Sequence, residues 1–107
     1  MIAAPASSTE GLGEMLPTEA LDRAAGMLRV LAHPHRLRIV EILLEGRHSV
    51  GELAQMLQLA PNAVSQHLNQ MKAFGILTSE RDGRTVYYRV IDPNAMTLIA
   101  CIRKHCQ

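Results

Sequence analysis

Residues 49–75 read SVGELAQMLQLAPNAVSQHLNQMKAFG, and this stretch decides the fold. Ser49 is a good helix N-cap, and Glu52 three residues later completes the spacing of a capping box, so a short helix is predicted over Val50–Leu57. After a turn, a proline opens a second helix over residues 61–74, and the glycine that follows ends it. Two helices joined by a tight turn predict a helix–turn–helix.

The second of these helices has an unusual polar surface. Val64, Leu68 and Met71 repeat at helical spacing and predict a buried stripe. The side facing outward then consists of Asn62, Ser65, Gln66, His67, Asn69, Gln70 and Lys72. Amides and hydroxyls are the groups that distinguish base edges in the major groove of DNA, whereas a merely solvated helix face is normally rich in charges. We therefore predict a DNA-reading helix whose contacts are Asn62, Ser65, Gln66, His67, Gln70 and Lys72.

A β-hairpin is predicted directly after the helix pair. Residues 77–90 alternate in polarity about Asp82-Gly83, which is a strong two-residue turn signal. Pairing across that turn gives one face Leu77, Val86, Tyr88 and Val90, and the other face Thr78, Glu80, Thr85, Tyr87 and Arg89. Arg81 and Arg84 flank the tip, where we expect them to contact DNA phosphates or the flanking minor groove.

Helices are also predicted on both sides of this unit. The first opens at Thr18 and carries an apolar stripe wider than one core contact needs. The second, over residues 36–45, is apolar on almost every side and should be central. Asp92 caps a last, partly apolar helix that extends to the last two residues. The surplus apolar surface on the first and last helices predicts a second subunit. The fold class is therefore mainly α with a β-hairpin: a winged helix–turn–helix that dimerises through its first and last helices.

Length and composition limit the chain to one small domain. It has 107 residues, of which 48% are hydrophobic and 20% charged, a balance typical of a globular protein. The folded domain is assigned to residues 18–107, behind a flexible leader over residues 1–17. No apolar run is long enough to span a membrane and no secretory signal is visible, so the expected compartment is the cytoplasm.

The distribution of charge is compatible with a nucleic-acid partner without requiring one. The net charge is +1, but residues 1–22 carry four acids and no base, while the remainder carries eleven bases against six acids. No phosphate loop, acid–base carboxylate pair or nucleophile with an adjacent base is visible. We therefore predict that the protein is not an enzyme.

Four motifs in order resemble the ArsR/SmtB family of small dimeric winged-helix repressors over roughly residues 20–107. They are LAHPHRLRIV at 31–40, SVGELA at 49–54, VSQHL at 64–68 with GIL at 75–77, and RDGRTVYY at 81–88. The resemblance implies that the first and last helices pair two subunits and that two recognition helices address an inverted-repeat operator. One departure is Ala60, since family members usually have a capping Ser or Thr there.

Family members commonly release DNA in response to a metal ion or to thiol chemistry, and the resemblance locates three kinds of site. The cysteine cluster of arsenite-responsive members is absent, because Ser49, Gly51 and Ala54 stand at those positions. The zinc-type site on the last helix is incomplete. Asp92 and His105 fall in register, but Asn94 replaces one histidine and the fourth position falls beyond Gln107.

The third kind of site, which responds to sulfide, polysulfide or oxidants, pairs two cysteines. Cys106 resembles the second of them, but Glu41 stands at the position of the first. Cys101 is an additional thiol, and Cys106 follows three basic residues, a setting that makes a thiol more reactive. We therefore expect Cys101 and Cys106 to sense an inducer, which is arsenite, another thiophilic metal ion or reactive sulfur.

Simpler interpretations remain open for most of these residues. Cys101 fits a small buried position, Asp92 a helix cap and His105 a solvent-facing side chain. His33 and His35 flank a proline at a helix junction and are interpreted as cap and surface residues rather than as a metal pair. His67 is interpreted as facing DNA or packed, not as a ligand. The alternative function is a winged helix without an effector site, acting as a constitutive DNA binder or a protein–protein interaction module.

Overall fold

The computed structural model describes residues 13–107 and shows five helices and three short strands within them. In chain order these are α1 Thr18–Leu31, α2 Pro34–Leu43, β1 His48–Ser49, α3 Val50–Leu57, α4 Pro61–Phe74, β2 Leu77–Asp82, β3 Thr85–Val90 and α5 Pro93–His105. Of the leader predicted over residues 1–17, residues 1–12 lie outside the described residues. The predicted winged helix–turn–helix is confirmed.

The local signals around the helix–turn–helix act as predicted. The Ser49 hydroxyl accepts a hydrogen bond from the Glu52 backbone N–H at 3.2 Å, and the Glu52 carboxylate accepts one from the Ser49 N–H at 2.9 Å. This capping box opens α3, and Gln58 ends it in the left-handed conformation with φ of 57°. Gly75 ends α4 in the same way, with φ of 92°, a conformation that glycine adopts without strain.

The start of α4 lacks a side-chain cap. Ala60 occupies the N-cap position with extended backbone geometry, and no side chain there accepts a bond from the first turn. Pro61 follows as the first helical residue, and it has no N–H that would need a partner. The departure predicted at Ala60 is therefore confirmed, and it leaves the start of this helix less stabilised than that of α3.

The hairpin has the predicted faces but a different turn. Leu77 pairs with Val90 and Asp82 with Thr85, so the two loop residues are Gly83-Arg84 rather than Asp82-Gly83. Because the shift in register is two residues, every side chain keeps its predicted face. Gly83, with φ of 67°, supplies the left-handed residue that the turn requires.

A third strand was not predicted. His48 and Ser49 form β1, which pairs antiparallel with Tyr88 and Tyr87 of β3 and gives the sheet order β1-β3-β2. This pairing joins the base of the hairpin to the start of α3. It therefore fixes the position of the wing relative to the helix–turn–helix.

One apolar core unites the helices with the base of the hairpin. Its fully or almost fully buried residues are Leu31, Ile39, Val40, Leu43, Leu53, Ala54, Val64, Leu68, Met71, Ile76, Leu77, Val90, Ala95 and Ile99. As predicted, α2 is central and contacts α1, α4, α5 and β3. It begins two residues earlier than predicted, because the His33 ring caps it by accepting a hydrogen bond from the His35 N–H at 3.2 Å.

Among residues 13–107, the outer faces of α1 and α5 leave apolar side chains exposed. Leu21 and Leu28 on α1 are 53% and 49% exposed, and Met96 on α5 is 39% exposed. Within residues 13–107, no helix combines the length and the apolar character that crossing a membrane needs.

Candidate nucleic-acid interface

The outward face of α4 is polar from Asn62 to Lys72. Val64, Leu68 and Met71 are fully buried and hold the opposite face against the core. Asn62, Gln66 and Gln70 are exposed, as predicted. Side-chain amides offer both donors and acceptors, so this surface can form the paired hydrogen bonds that read base edges.

The remaining predicted contacts on α4 lie on its flanks. Ser65 and His67 are half-buried, on opposite sides of the helix. Lys72 is exposed but donates a hydrogen bond to the Ser79 hydroxyl at 2.7 Å, which ties the end of α4 to β2. Asn69, which was predicted to face outward but was not included among the expected DNA contacts, is exposed beside Gln66 and belongs to the same polar surface. Its spacing of three residues from Gln66 is the sequence signal that could have identified it.

His67 contacts the junction between α1 and α2. Its Nδ1 accepts a hydrogen bond from Nε of Arg36 at 3.0 Å, and Arg36 also donates to the Val30 carbonyl at 3.0 Å. Partial burial lowers the pKa of His67, and electrostatic interaction with His33, Arg36 and His35 lowers it further. The ring is therefore neutral at pH 7.

The arginines of the hairpin fall into two groups. Arg47, just before β1, donates to Glu80 and to Asp82 at 2.8 Å each, and Arg89 donates to Glu80 at 3.1 Å. Arg81 and Arg84 are exposed and form no ion pair within the part of the chain that the structure describes. Arg81 and Arg84 therefore offer uncompensated positive charge, whereas the first group stabilises the hairpin.

The ion pairs that join Arg47 and Arg89 to Glu80 and Asp82 form a hairpin network, and they shift the pKa values of Glu80 and Arg47. Hydrogen bonds from Arg89 and then Arg47 lower the pKa of Glu80, and the bonds to Asp82 and Glu80 raise the pKa of Arg47. The Arg47 guanidinium also lies 4.1 Å from the centre of the Tyr87 ring. Sequence analysis did not identify Arg47, because its partners lie 33 to 40 residues away along the chain.

Comparison with known proteins agrees with this geometry. Residues 33–79 match the model of the bacterial regulatory protein arsR family. The transcriptional activator HlyU of Vibrio cholerae is 33% identical over 86 residues, which cover 79% of this chain and 80% of HlyU. The chain belongs to the ArsR family. The named relatives are transcriptional regulators rather than enzymes.

Other ArsR-family proteins extend the comparison. The repressor SmtB of Mycobacterium tuberculosis strain H37Rv is 47% identical over 76 residues, which cover 71% of this chain but only 56% of SmtB. This chain thus matches little more than half the length of that repressor. Among solved structures, reduced HlyU from Vibrio cholerae gives a TM-score of 0.78 at 31% identity, covering 84% of this chain and 96% of HlyU. NolR from Sinorhizobium fredii gives 0.76 at 30% identity, covering 87% and 95%.

The two thiols of this ArsR-family chain lie in the second half of α5 and directly after its end. Both Cys101 and Cys106 are exposed and free, so Cys101 does not occupy the buried position considered for it. Cys101 lies within the helix, and Cys106 is the first residue after it. Five residues along a helix correspond to a rotation of about 140° and a rise of about 7.5 Å, so the two sulfurs face different directions.

Beside these thiols, α5 is joined to α2 by charge. Glu41, which stands where the thiol-responsive members have a cysteine, accepts hydrogen bonds or ion pairs from two arginines. Arg38 lies on the same helix, and Arg103 reaches it across the helix contact at 3.4 Å. The last turn of α5 is therefore in direct contact with the central helix α2. A structural change in that turn would act directly on α2.

Asp92 and His105 do not form a metal site within one chain. They lie at opposite ends of α5, about 20 Å apart along the helix axis at its standard rise. The Asp92 carboxylate accepts a hydrogen bond from the Asn94 N–H at 2.9 Å, which makes it the predicted helix cap. His105 is exposed, and no third ligand completes a set with either residue among residues 13–107. These two residues do not fit a zinc ion on their own.

Proposed function

We propose that this chain is a dimeric DNA-binding transcriptional repressor that is released from an inverted-repeat operator by chemistry at its C-terminal thiols. The single observation that carries the DNA-binding part is the exposed amide surface of α4 beside two uncompensated arginines on the wing. Asn62, Gln66 and Ser65 would read bases in the major groove, together with Gln70 and His67. Lys72, Arg81 and Arg84 would contact phosphates.

The dimer follows from the apolar side chains that a single chain leaves exposed. Leu21 and Leu28 on α1, with Met96 on α5, form surfaces that a two-fold related copy would bury. Two copies of α4 would then face successive major grooves about 34 Å apart. We extend to this chain the repressor role by which SmtB is named.

Inducer sensing is assigned to Cys101 and Cys106. Cys101 on α5 and Cys106 directly after it are both exposed, and α5 packs against α2 and is joined to it by the Arg103–Glu41 pair. Because α2 in turn contacts α4, modification of these thiols would shift the two recognition helices relative to each other. Candidate inducers are arsenite, another thiophilic metal ion and reactive sulfur, and one structural neighbour, HlyU, is described in a reduced form.

The DNA-binding proposal is tested by selecting duplexes from a randomised library with the purified protein. We expect an inverted repeat whose half-sites are one helical turn apart. Gln66→Ala should relax the preference at one position in each half-site, at a cost of about 1–3 kcal/mol per lost base contact. Enrichment of no sequence, with binding to none of the duplexes, would favour the protein–protein interaction module instead.

Thiol sensing is tested with the same duplex. The wild type and a variant carrying Cys101→Ser and Cys106→Ser are titrated with arsenite, polysulfide and Zn²⁺ in turn, and fluorescence anisotropy measures release. An inducer that releases the wild type should fail on the variant. If the variant is released equally well by each of them, the thiols are not the sensor; if nothing releases the wild type, the constitutive DNA binder is favoured.

A further inference from the structure

Three histidines from two distant parts of the chain converge beside α4. His33 caps α2, His35 lies in its first turn, and His67 lies in the middle of α4. All three rings are half-buried, and one ligand nitrogen from each lies within 4.8 Å of the other two. Within residues 13–107, this is the group of three or more His, Cys, Asp or Glu side chains that is close enough to share an ion.

The spacing of the rings matches that of a tetrahedral metal centre. The ring centroids are separated by 4.6 Å (His33 to His67), 5.3 Å (His33 to His35) and 5.9 Å (His35 to His67). Three imidazoles bound tetrahedrally to one ion at 2.0–2.1 Å would place their centroids about 5.2 Å apart. The ligand nitrogens lie within 4.8 Å of one another, whereas ligands held tetrahedrally at 2.0–2.1 Å lie about 3.4 Å apart, so the rings need rotation and small shifts to bind one ion together.

We infer that His33, His35 and His67 form a binding site for a divalent transition-metal ion such as Zn²⁺, Co²⁺ or Ni²⁺. Neutral imidazole is a favourable ligand for these ions. Three histidines leave the fourth tetrahedral position to water, and half-burial keeps that position in contact with solvent. The site is separate from Asp92 and His105 and from the two thiols, and the inference does not depend on DNA binding.

Metal binding would compete with two existing hydrogen bonds. Nδ1 of His33 accepts from the His35 N–H, and Nδ1 of His67 accepts from Arg36. A neutral imidazole whose Nδ1 is an acceptor carries its proton on Nε2. An ion on Nδ1 would displace the donor directly, and an ion on Nε2 would move the proton to Nδ1, so either route breaks these bonds.

Arg36 is therefore the partner of His67 with which a bound ion would compete. Its guanidinium donates to His67 and to the Val30 carbonyl, and so joins α4 to the end of α1. A bound ion would replace this single hydrogen bond on His67 with metal–ligand bonds that link α4 directly to the α1–α2 junction. It would also release the Arg36 guanidinium from His67.

The site is tested by titrating Co²⁺ into protein stripped of metal and carrying Cys101→Ser and Cys106→Ser, so that thiols cannot bind the ion. Visible absorption measures coordination, and we expect one tightly bound Co²⁺ per chain. His35→Ala is the most informative variant, because no ring nitrogen of His35 takes part in a hydrogen bond among residues 13–107. His35→Ala and His67→Ala should each weaken Co²⁺ binding at least tenfold.

His48→Ala and His105→Ala are the matched controls, since both histidines lie outside the cluster and should leave Co²⁺ affinity unchanged. Circular dichroism verifies that each variant keeps its helices. The inference is overturned if the stripped protein binds no Co²⁺, if His35→Ala binds it as tightly as the parent, or if a control variant loses affinity to the same extent.

A second variant tests the competition with Arg36. Arg36→Met removes the donor to His67 while keeping an apolar side chain of similar length. Without this competitor and its positive charge, the three histidines should bind Co²⁺ several-fold more tightly. If Arg36 only supported the fold, its replacement would weaken Co²⁺ binding instead. Unchanged or weaker binding would contradict the competition.

Discussion

Individual side chains on the hairpin divide into those that hold the wing and those that are available to a ligand. Arg47 and Arg89 have carboxylate partners, while Arg81 and Arg84 have none within the described residues. Only the second pair adds uncompensated charge, so only that pair should contribute to the electrostatic part of DNA binding. The sequence alone places Arg81, Arg84 and Arg89 on one hairpin without separating them, and it does not show that Arg47 lies beside this hairpin.

Arg81→Ala and Arg84→Ala should each weaken binding to every DNA sequence by a similar factor. Each removes one phosphate contact, so the slope of log affinity against log salt concentration should become shallower by about 0.9. Fluorescence anisotropy at several salt concentrations measures the slope. Arg89→Ala, on the same hairpin, is the control and should leave it nearly unchanged. Equal slopes for all three variants and the wild type would show that the wing does not contact phosphate.

The Glu80 carboxyl should titrate below the ordinary range of glutamate, because Arg89 and Arg47 both donate to its charged form. A group with a lowered pKa in the folded state stabilises the structure above its ordinary pKa. That contribution is lost as the pH falls below about 4.5 and through the folded value. Carbon-detected NMR measures the titration, and Arg89→Ala should move the pKa of Glu80 upward. A wild-type Glu80 that titrates at the ordinary value would contradict the network.

Among the secondary-structure elements, α3 and α4 were predicted with the correct bounds, because the residues that start and end them lie beside them in the sequence: Ser49 at the start of α3, and Pro61 and Gly75 at the two ends of α4. The hairpin faces were also predicted, since alternation tolerates a shift of two residues. The strand β1 was not, because two residues become a strand only through their pairing with Tyr87 and Tyr88. The cluster of His33, His35 and His67 was missed for a similar reason: more than 30 residues separate its two parts.

Ala60→Ser should stabilise the protein by about 1 kcal/mol, because a hydroxyl at the N-cap can accept a bond from the first turn of α4. Ala60 already has the extended backbone geometry of an N-cap. Ala73→Ser, also exposed on α4, is the matched control and should destabilise by roughly 0.5 kcal/mol through lower helix propensity. Urea denaturation gives both free energies of unfolding. A loss of stability in Ala60→Ser would mean that the helix start cannot accommodate the cap.

At the scale of the whole molecule, specific DNA binding by the polar face of α4 depends on the dimer that the exposed apolar faces of α1 and α5 would form. A single recognition helix reads too few base pairs for a specific site, and two-fold pairing doubles the number it reads. DNA binding by a dimer thus explains both the apolar stripe on α1, which is wider than the core needs, and the amide-rich surface of α4. The proposed dimer is the step that connects fold to function.

Leu28→Glu should dissociate the dimer without unfolding the chain, because Leu28 is 49% exposed in the single chain and a buried carboxylate at a subunit contact would be costly. Met56→Glu is the control: Met56 is similarly exposed, at 56%, but lies on α3. Sedimentation velocity at micromolar concentration should show a monomer for Leu28→Glu and a dimer for the wild type and the control. A wild-type monomer would remove the basis of the proposed symmetry.

The central claim is that two copies of α4, held at a fixed separation, bind an inverted repeat. Its most direct test compares the affinity of the wild type for the selected duplex with its affinity for the same duplex after insertion of about five base pairs, half a helical turn, between the half-sites. The insertion rotates one half-site to the opposite side of the DNA, so we predict two chains bound to the original duplex and a loss of affinity of at least a hundredfold on the altered one. Equal affinity for the two duplexes would contradict the account.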